Sequence, residues 1–431
     1  MIKHSSLIES DNLEEPTFLK TIREKSAMDF KRMGIPDAHS EDWKYTPVRK
    51  FLPLLDSLED LREDIKDKDP IKKDWEKNWD RFRDLDSYRL VFWNGIFQAD
   101  LSDKISDSLG HIESIESGFN REEFKMYFNS LEELGADGFP ALNTSLFDRG
   151  IFIQIHANQK LDKPIQLIYI TENEIDRIIH PRNLILIGKF SEVEIVENFL
   201  GIHHSQAIFE NRLSEIFLEQ GAGVEHTKVQ RLGKGDRMIM NDFINQKKDS
   251  QYRSHTYSLS GKFIRNNLKI NLQESGSEAH LYGFYSLHSD ELMDNHTLVR
   301  HLKPHCSSNE LYKGVLSGKS IGVFNGKVLV CPDAQKTNAY QQNQTILMDK
   351  DSTMNSKPEL EIFADDVKCS HGSTMGQLDK MALFYLRSRG ISEKSAQNIM
   401  VKAYAFSLLN EIKNEEVLSE IENLLNQLEH S

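Results

Sequence analysis

The segment LEQGAGVEH, Leu218 to His226, returns as LQESGSEAH, Leu272 to His280. The two begin 54 residues apart and align a Leu, an acid or amide pair, small turn residues and a closing His. His255, in YRSHTYSL, lies close to the midpoint between His226 and His280, so two coils of about 27 residues account for the spacing. Around this pair, from Gly138–Asn143 onward, short β-rich runs such as IFIQIHA, IQLIYI, NLILIG, VEIVENF and VFNGKVLV alternate with Gly, Asn, Asp and Ser, and helical periodicity vanishes. Strands without intervening helices exclude a doubly wound sheet and leave a sandwich, a barrel or a solenoid. The repeat selects stacked coils, a parallel β-helix. The three histidines read as similar positions in successive coils, solvated or bonded to backbone, in preference to a metal-binding row.

Both ends of the chain change grammar. Apolar residues recur at helical intervals between Leu7 and Met33, and Gly34 and Pro36 stop the helix. In HSEDWKYTPV the rings of Trp43 and Tyr45, with Pro47, read as a packed anchor between helix and core. The charged stretch from Asp56 to Asp86 reads as a helix-prone solvated face, Tyr88 to Phe97 as a hairpin turning at Asn94-Gly95, and Arg121 to Leu134 as an amphipathic helix closed by Gly135. Beyond Gly376, QLDKMALFYLRSRGIS predicts a helix ended by Gly390. Ser392 then caps a second helix with Ala396, Ile399, Ala403, Phe406 and Leu409 along one stripe. The last, acidic helix carries Val417, Leu418, Ile421, Leu424, Leu425 and Leu428 on an apolar side suited to self-packing. The expected organisation is therefore mainly β: a mainly helical region over 1–140, a β-helix core over 141–372 and a helical domain over 373–431, the helices covering ends that a solenoid leaves open.

Composition narrows the function classes. A formal charge of -14 over 431 residues, with no basic arm, disfavours nucleic acid as partner. The N-terminal MIKHSSLIESDNLEEP has no apolar core of a secretion signal, and no run of some 18 apolar residues occurs, which predicts a soluble, cytoplasmic protein. Cys306, Cys331 and Cys369 are odd in number and far apart, as expected of reduced thiols; Cys306 and Cys331 read as packed ones. SGKS, Ser317 to Ser320, lacks the upstream Gly of a phosphate loop, so this chain has no motif for ATP hydrolysis.

Chemistry concentrates in ELEIFADDVKCSHGSTMGQLD, Glu359 to Asp379. Cys369 and His371 stand two apart in a β-like run, so a thiol and an imidazole share one face. Both are good iron ligands, and replacing thiolate by imidazole reduces the negative charge around a cluster, which suits a site that must release its cargo.

Together with NELYKGVLSGKSIGVFNGKVLV (309–330), DAQKTNAYQQNQTILM (333–348), LFYLRSRGIS (383–392), FPALN (139–143) and DWKYTP (42–47), this stretch resembles the SufB/SufD family of iron-sulfur cluster assembly proteins over nearly the whole chain. The resemblance implies a right-handed parallel β-helix between helical segments, in a complex with SufB and two copies of the ATPase SufC. It implies SufC docked on the C-terminal helices, SufB joined through the β-helix, and nascent cluster chemistry near that junction. The family's CSHG falls on Cys369, Ser370, His371 and Gly372, which makes His371 the leading contributor to the assembly site and Cys369 the second. SufB-like sequences place Glu after that His, where this chain has Gly372. That departure points to the SufD side of the family and puts the principal sulfur-accepting cysteine on the partner. The implied cargo is a transient iron-sulfur cluster or iron at the SufB interface, with none held stably by the isolated chain; cluster type and the presence of a reduced flavin in the complex stay open. ATP hydrolysis falls to SufC. A rival reading is a polysaccharide-active β-helix enzyme using Asp290, Glu291 and Asp294; the absent secretion signal and reduced thiols count against it, and these acids read as a solvated turn. A homodimer through the same β-helix edge is a third arrangement.

Overall fold

A computed structural model describes residues 15–52, 55, 82–131, 133, 135, 137–173, 177–204 and 207–428. Two ten-residue-wide ribbons of parallel strands face each other across a narrow lumen, each turn of the chain adding one strand to each sheet, in a β-solenoid of about seven turns. The first sheet starts at the hairpin Tyr88–Trp93/Ile96–Phe97 and ends at Lys368–Gly376; the second starts at Gly110–Ser114 and ends at Thr353–Ile362. Among the described residues only the two starting pairs are antiparallel. The hairpin turns where expected, with Asn94 and Gly95 both at positive φ (47° and 83°).

The period is visible in the register. Gly223, Gln251, Glu278, Ser307, Asn338 and Lys368 lie side by side, 27 to 31 residues apart. Leu218 and Leu272 flank Gln246 in a single column, two coils apart as the sequence predicts. The corner that closes each coil is equally regular: Asn158, Phe190, Gly221, Asp249, Gly276, His305 and Lys336 all take φ between 56° and 79°. At several of these corners the backbone N–H of the left-handed residue donates to the next coil, as Phe190 does to the Gln220 carbonyl and Lys336 to the Asp366 carbonyl. Alternate side chains fill the lumen, where Ile195, Ile216, Met240, Leu281 and Phe324 belong to one continuous apolar cluster.

Helices cover the outer faces. Helix α1, Thr17–Met33, ends at Gly34 (φ 68°). Trp43 anchors the following segment: it is 1 % exposed, its indole N–H donates to Asp137 Oδ2 (3.1 Å), and the Arg265 guanidinium lies 3.7 Å over its ring. Tyr45, expected to pack beside it, is 40 % exposed. The helix-prone stretch Asp56–Asp86 lies outside the described residues except for 82–86, which are irregular, with Phe82 buried.

The helix expected over Arg121–Leu134 is only six residues long, α2, Glu122–Tyr127. Asn129 turns to φ 59°, and the N–H groups of Asn129 and Leu131 donate to the Glu215 carboxylate (2.7 and 2.9 Å), itself buried against Arg182 (2.5 Å). Hydrogen bonds to a buried charge outweigh one more helical turn. GFPALN opens a further helix, α3, Gly138–Leu146, capped by Asp137, whose side chain accepts from the Phe139 N–H.

At the C-terminus α4 (Lys380–Ser388), α5 (Glu393–Phe406) and α6 (Glu415–Gln427) follow as predicted, capped by Asp379, Ser392 and Asn414, with Gly390 at φ 86°. Helix α6 packs home, burying Val417, Ile421, Leu424 and Leu425 against Tyr257, Tyr282 and Phe284 on the outer face of the first sheet. The buried stripe of α5 is Ala396, Val401 and Ala405, one step round from the stripe expected: Ala403 and Ile399 are exposed. No residue of α4 is buried. No helix among the described residues is long and apolar enough to cross a membrane.

Candidate functional site at the open end of the solenoid

The expected histidine row is not formed. His226 points into the lumen, where Glu197 (2.7 Å) and the Tyr252 hydroxyl (2.9 Å) hold its two ring nitrogens. His255 pairs in register with Thr227, not His226, and stacks on Tyr282 outside the lumen, while His280 pairs with Arg253. The corner preceding His280 is one residue longer than that preceding His226, and a one-residue slip moves a side chain to the opposite face. The three acids of the rival reading are also separated. Asp290 is exposed beside Lys262 (2.5 Å), and Glu291 accepts the His288 N–H (2.8 Å). Asp294, expected in a solvated turn, is instead fully buried with Arg265 (2.5 Å) and the Thr46 hydroxyl (2.5 Å), clamping the DWKYTP segment to the second sheet. SGKS forms a corner between two strands, where the Gly318 N–H donates to Asp349 (2.6 Å). Cys306 is buried, its thiol donating to the Glu274 carbonyl (3.3 Å), and all three cysteines are free.

Cys369 and His371 lie on the last strand of the first sheet, which continues past Gly372 to Gly376. Their register partners are Ala339 and Gln341, both buried in the lumen, so the pair takes the lumen side. No further coil covers them, and the two donors differ sharply. Cys369 packs into an apolar corner with Val328, Val330, Ala334 and Ala364, and burial pushes its thiol above the ordinary value, only partly opposed by the Ala339 backbone N–H. It is a thiol, not a thiolate, at neutral pH. His371 is exposed at the mouth. The floor beneath is polar: Ser373 donates to Ser356 (2.8 Å), Asn343 donates to the same oxygen (3.2 Å), and Tyr285 donates to Asn343 (3.2 Å). Behind His371, Gln341 donates to Glu310 (3.4 Å), which also accepts from Thr297 (2.6 Å).

Near this opening Ile362, Phe363 and Met375 are at least 40 % exposed, interspersed with exposed polar residues such as Lys368, Ser370 and Thr374, and Tyr340 is exposed on the outer face of the preceding strand. Among the described residues no three His, Cys, Asp or Glu side chains are grouped to hold a metal ion, so this end offers two donors on one face. Sequence reasoning missed Glu310, Gln341 and Arg265. Their signal was a polar residue at an inward or covered position of an otherwise apolar alternation, as in NELYKG and FIRNNLKI.

A family model described as the SUF system FeS cluster assembly, SufBD core domain, matches residues 169–404, and one for the SufBD protein N-terminal region matches 3–167. An iron-sulfur cluster assembly SufBD family protein of Synechocystis is 34 % identical over 337 residues, 75 % of this chain and 74 % of the relative. The iron-sulfur cluster assembly protein SufD of Escherichia coli is 29 % identical over 392 residues (89 % and 87 %), and that of Bacillus subtilis 23 % over 431 (96 % and 95 %). The core match spans the coils that build the lumen and the strand bearing Cys369 and His371, so fold, motif and relatives converge: this chain belongs to the SufBD family of iron-sulfur cluster assembly proteins.

Proposed function

We propose that this chain is a non-catalytic scaffold subunit that joins SufB through the open end of its solenoid and holds iron or a nascent cluster at that junction through His371, with Cys369 in a secondary role. The observation that carries the reading is an incomplete site at an unfinished end. His371 stands exposed with one thiol on its face, on a strand with an unpaired edge, in a rim that exposes Ile362, Phe363 and Met375 among polar residues. A partner that extends the sheets would cover that rim and supply the missing ligands. SufC, the ATPase, docks on the projecting pair α4 and α5, where Met381, Phe384 and Tyr385 share one exposed face of α4 and Ile399 is exposed on α5, on a unit otherwise anchored by α6.

The test is anaerobic co-purification with SufB and SufC, with iron and sulfide quantified. His371→Ala is expected to lose most of the bound iron and sulfide while the subunits still assemble, and Cys369→Ser to lose less. Normal iron and sulfide in His371→Ala would sink the proposal.

A further inference from the structure

Glu310 is a carboxyl with an unusual lack of company. It is 1 % exposed, faces the lumen, and among the described residues forms no ion pair. One oxygen accepts from the Thr297 hydroxyl and the Gln341 amide; the other, Oε1, has no hydrogen-bond partner, and neither has the Gln341 carbonyl oxygen. The place is built for this arrangement. Gly326, opposite, leaves space that the Gln341 side chain fills, so that any Cβ there would strike the Gln341 amide. Register puts Glu310, Gln341 and His371 in one column, one per coil, with Gln341 between the other two. At the inter-strand spacing of a sheet, Glu310 lies roughly 10 Å behind His371. The side chains facing it are Leu281 and Gln341 from neighbouring coils, Thr297 from the opposite sheet, and Tyr312 two residues on along its own strand. Tyr312 is the one titratable group among them, and burial with the nearby Glu310 charge drives it far above the tyrosine range, so it supplies no charge.

We propose that Glu310 is the charge-compensating group of the mouth: able to hold its proton up to neutral pH while the mouth is empty, it ionises fully when a divalent cation is seated at His371. Whatever proton the Glu310 carboxyl still holds leaves for solvent water as the cation arrives, and it returns when the cation leaves; no redox partner is involved. The carboxylate left behind offsets one of the cation's two charges; the nearest charges deeper in the lumen, Lys228 and Asp242, are paired with each other. The inference rests on the reading that His371 takes iron. Burial agrees with it, pushing Glu310 up to about 7 against the weaker pull of its hydrogen bonds to Thr297 and Gln341. A unit positive charge roughly 10 Å away, at an effective dielectric of about 20, would bring that value down by about one pH unit.

Infrared titration of the metal-free full chain tests this without iron. The wild type should show the carbonyl stretch of a buried protonated carboxyl, fading with a midpoint near neutrality and missing from Glu310→Gln. Gln341→Leu, which removes one donor to the carboxylate, should move the same band to a higher midpoint, which secures the assignment should Glu310→Gln fold poorly. His371→Lys, a permanent cation at the mouth, should lower the midpoint by about one pH unit, and His371→Ala should not lower it. Absence of the band at pH 6, or an unmoved midpoint in His371→Lys, overturns the proposal and leaves the functional reading intact. Normal iron loading by His371→Ala overturns the functional reading and the iron-linked half of this one, while the metal-free titrations stand.

Discussion

Two buried carboxyls set opposite pH dependences on this molecule. Burial alone would raise Asp294, but the Arg265 guanidinium, His296 and Thr46 hold it down at about 2. Its contribution to stability is therefore present above the unfolded carboxyl value near 4 and is lost as pH falls toward 2. Removing the cation strands the charge: Arg265→Met should destabilise by about 3–5 kcal/mol at pH 7, and adding Asp294→Asn should recover much of the loss, read by thermal unfolding of the two variants. Glu310 runs the other way. Raised in the fold to about 7 from 4.5, it binds a proton that the unfolded chain has lost across that window, so stability declines as pH rises through it. The wild type should lose roughly 3 kcal/mol relative to Glu310→Gln between pH 4.5 and 7, with a constant difference above. Glu291, also pushed up to about 7, adds the same slope to both proteins, which is why the difference between them is the measurement. Neither role could be read from sequence. Asp294 and Glu310 are single acids in strands, and only the fold shows that one meets an arginine and the other does not.

At the scale of strand and corner, the solenoid tolerates or refuses side chains by backbone geometry. Gly221 sits at φ 68° with the Phe190 ring against it, whereas Gly223, two residues on, has an ordinary φ and open space. Gly221→Ala should cost about 1–2 kcal/mol while Gly223→Ala is neutral or stabilising by a few tenths, checked by comparing their unfolding midpoints. These corners also explain what was legible. The 54-residue interval from Leu218 to Leu272 survives because apolar lumen positions recur coil by coil, which was enough to identify the solenoid. The histidine row failed at His280 because corner length varies by a residue, and at His255 because it pairs with Thr227, one position beyond His226; either offset is invisible to a count of periods yet sufficient to reverse a side chain. The Cys369/His371 pair was legible because strand alternation is local; that its cysteine is walled in and its histidine open depends on where the coils stop. The helix over Arg121–Leu134 was overestimated because Glu215, some ninety residues away in the chain, claims the backbone N–H groups of Asn129 and Leu131.

Considered whole, the molecule is a stack closed along its sides and open at one end, with its C-terminal helices divided between holding and projecting. Helix α6 holds: its apolar side covers Tyr257, Tyr282 and Phe284, and polar clasps reinforce it, with Glu411 meeting Arg253 (3.4 Å) and Tyr282 (3.0 Å) and Asn414 donating to Glu194 (2.6 Å). Helix α4 only projects. Removing residues 377–429 should abolish co-purification of SufC, but it would also uncover the outer face of the first sheet and weaken the stack, so loss of SufC from that variant is ambiguous. Point changes separate the two effects. Met381 and Phe384 are 75 % and 68 % exposed, so Met381→Asp with Phe384→Asp removes apolar surface that is left largely uncovered among the described residues. Surface changes of this kind alter stability by no more than about 0.5 kcal/mol each, so the unfolding midpoint should barely move while SufC is lost from the purified complex and SufB is retained. Ile421→Asp, which buries a charge beneath α6, should instead lower the midpoint strongly. Retention of SufC by the α4 double variant would assign the docking surface elsewhere and leave the projecting apolar face without a role in this complex.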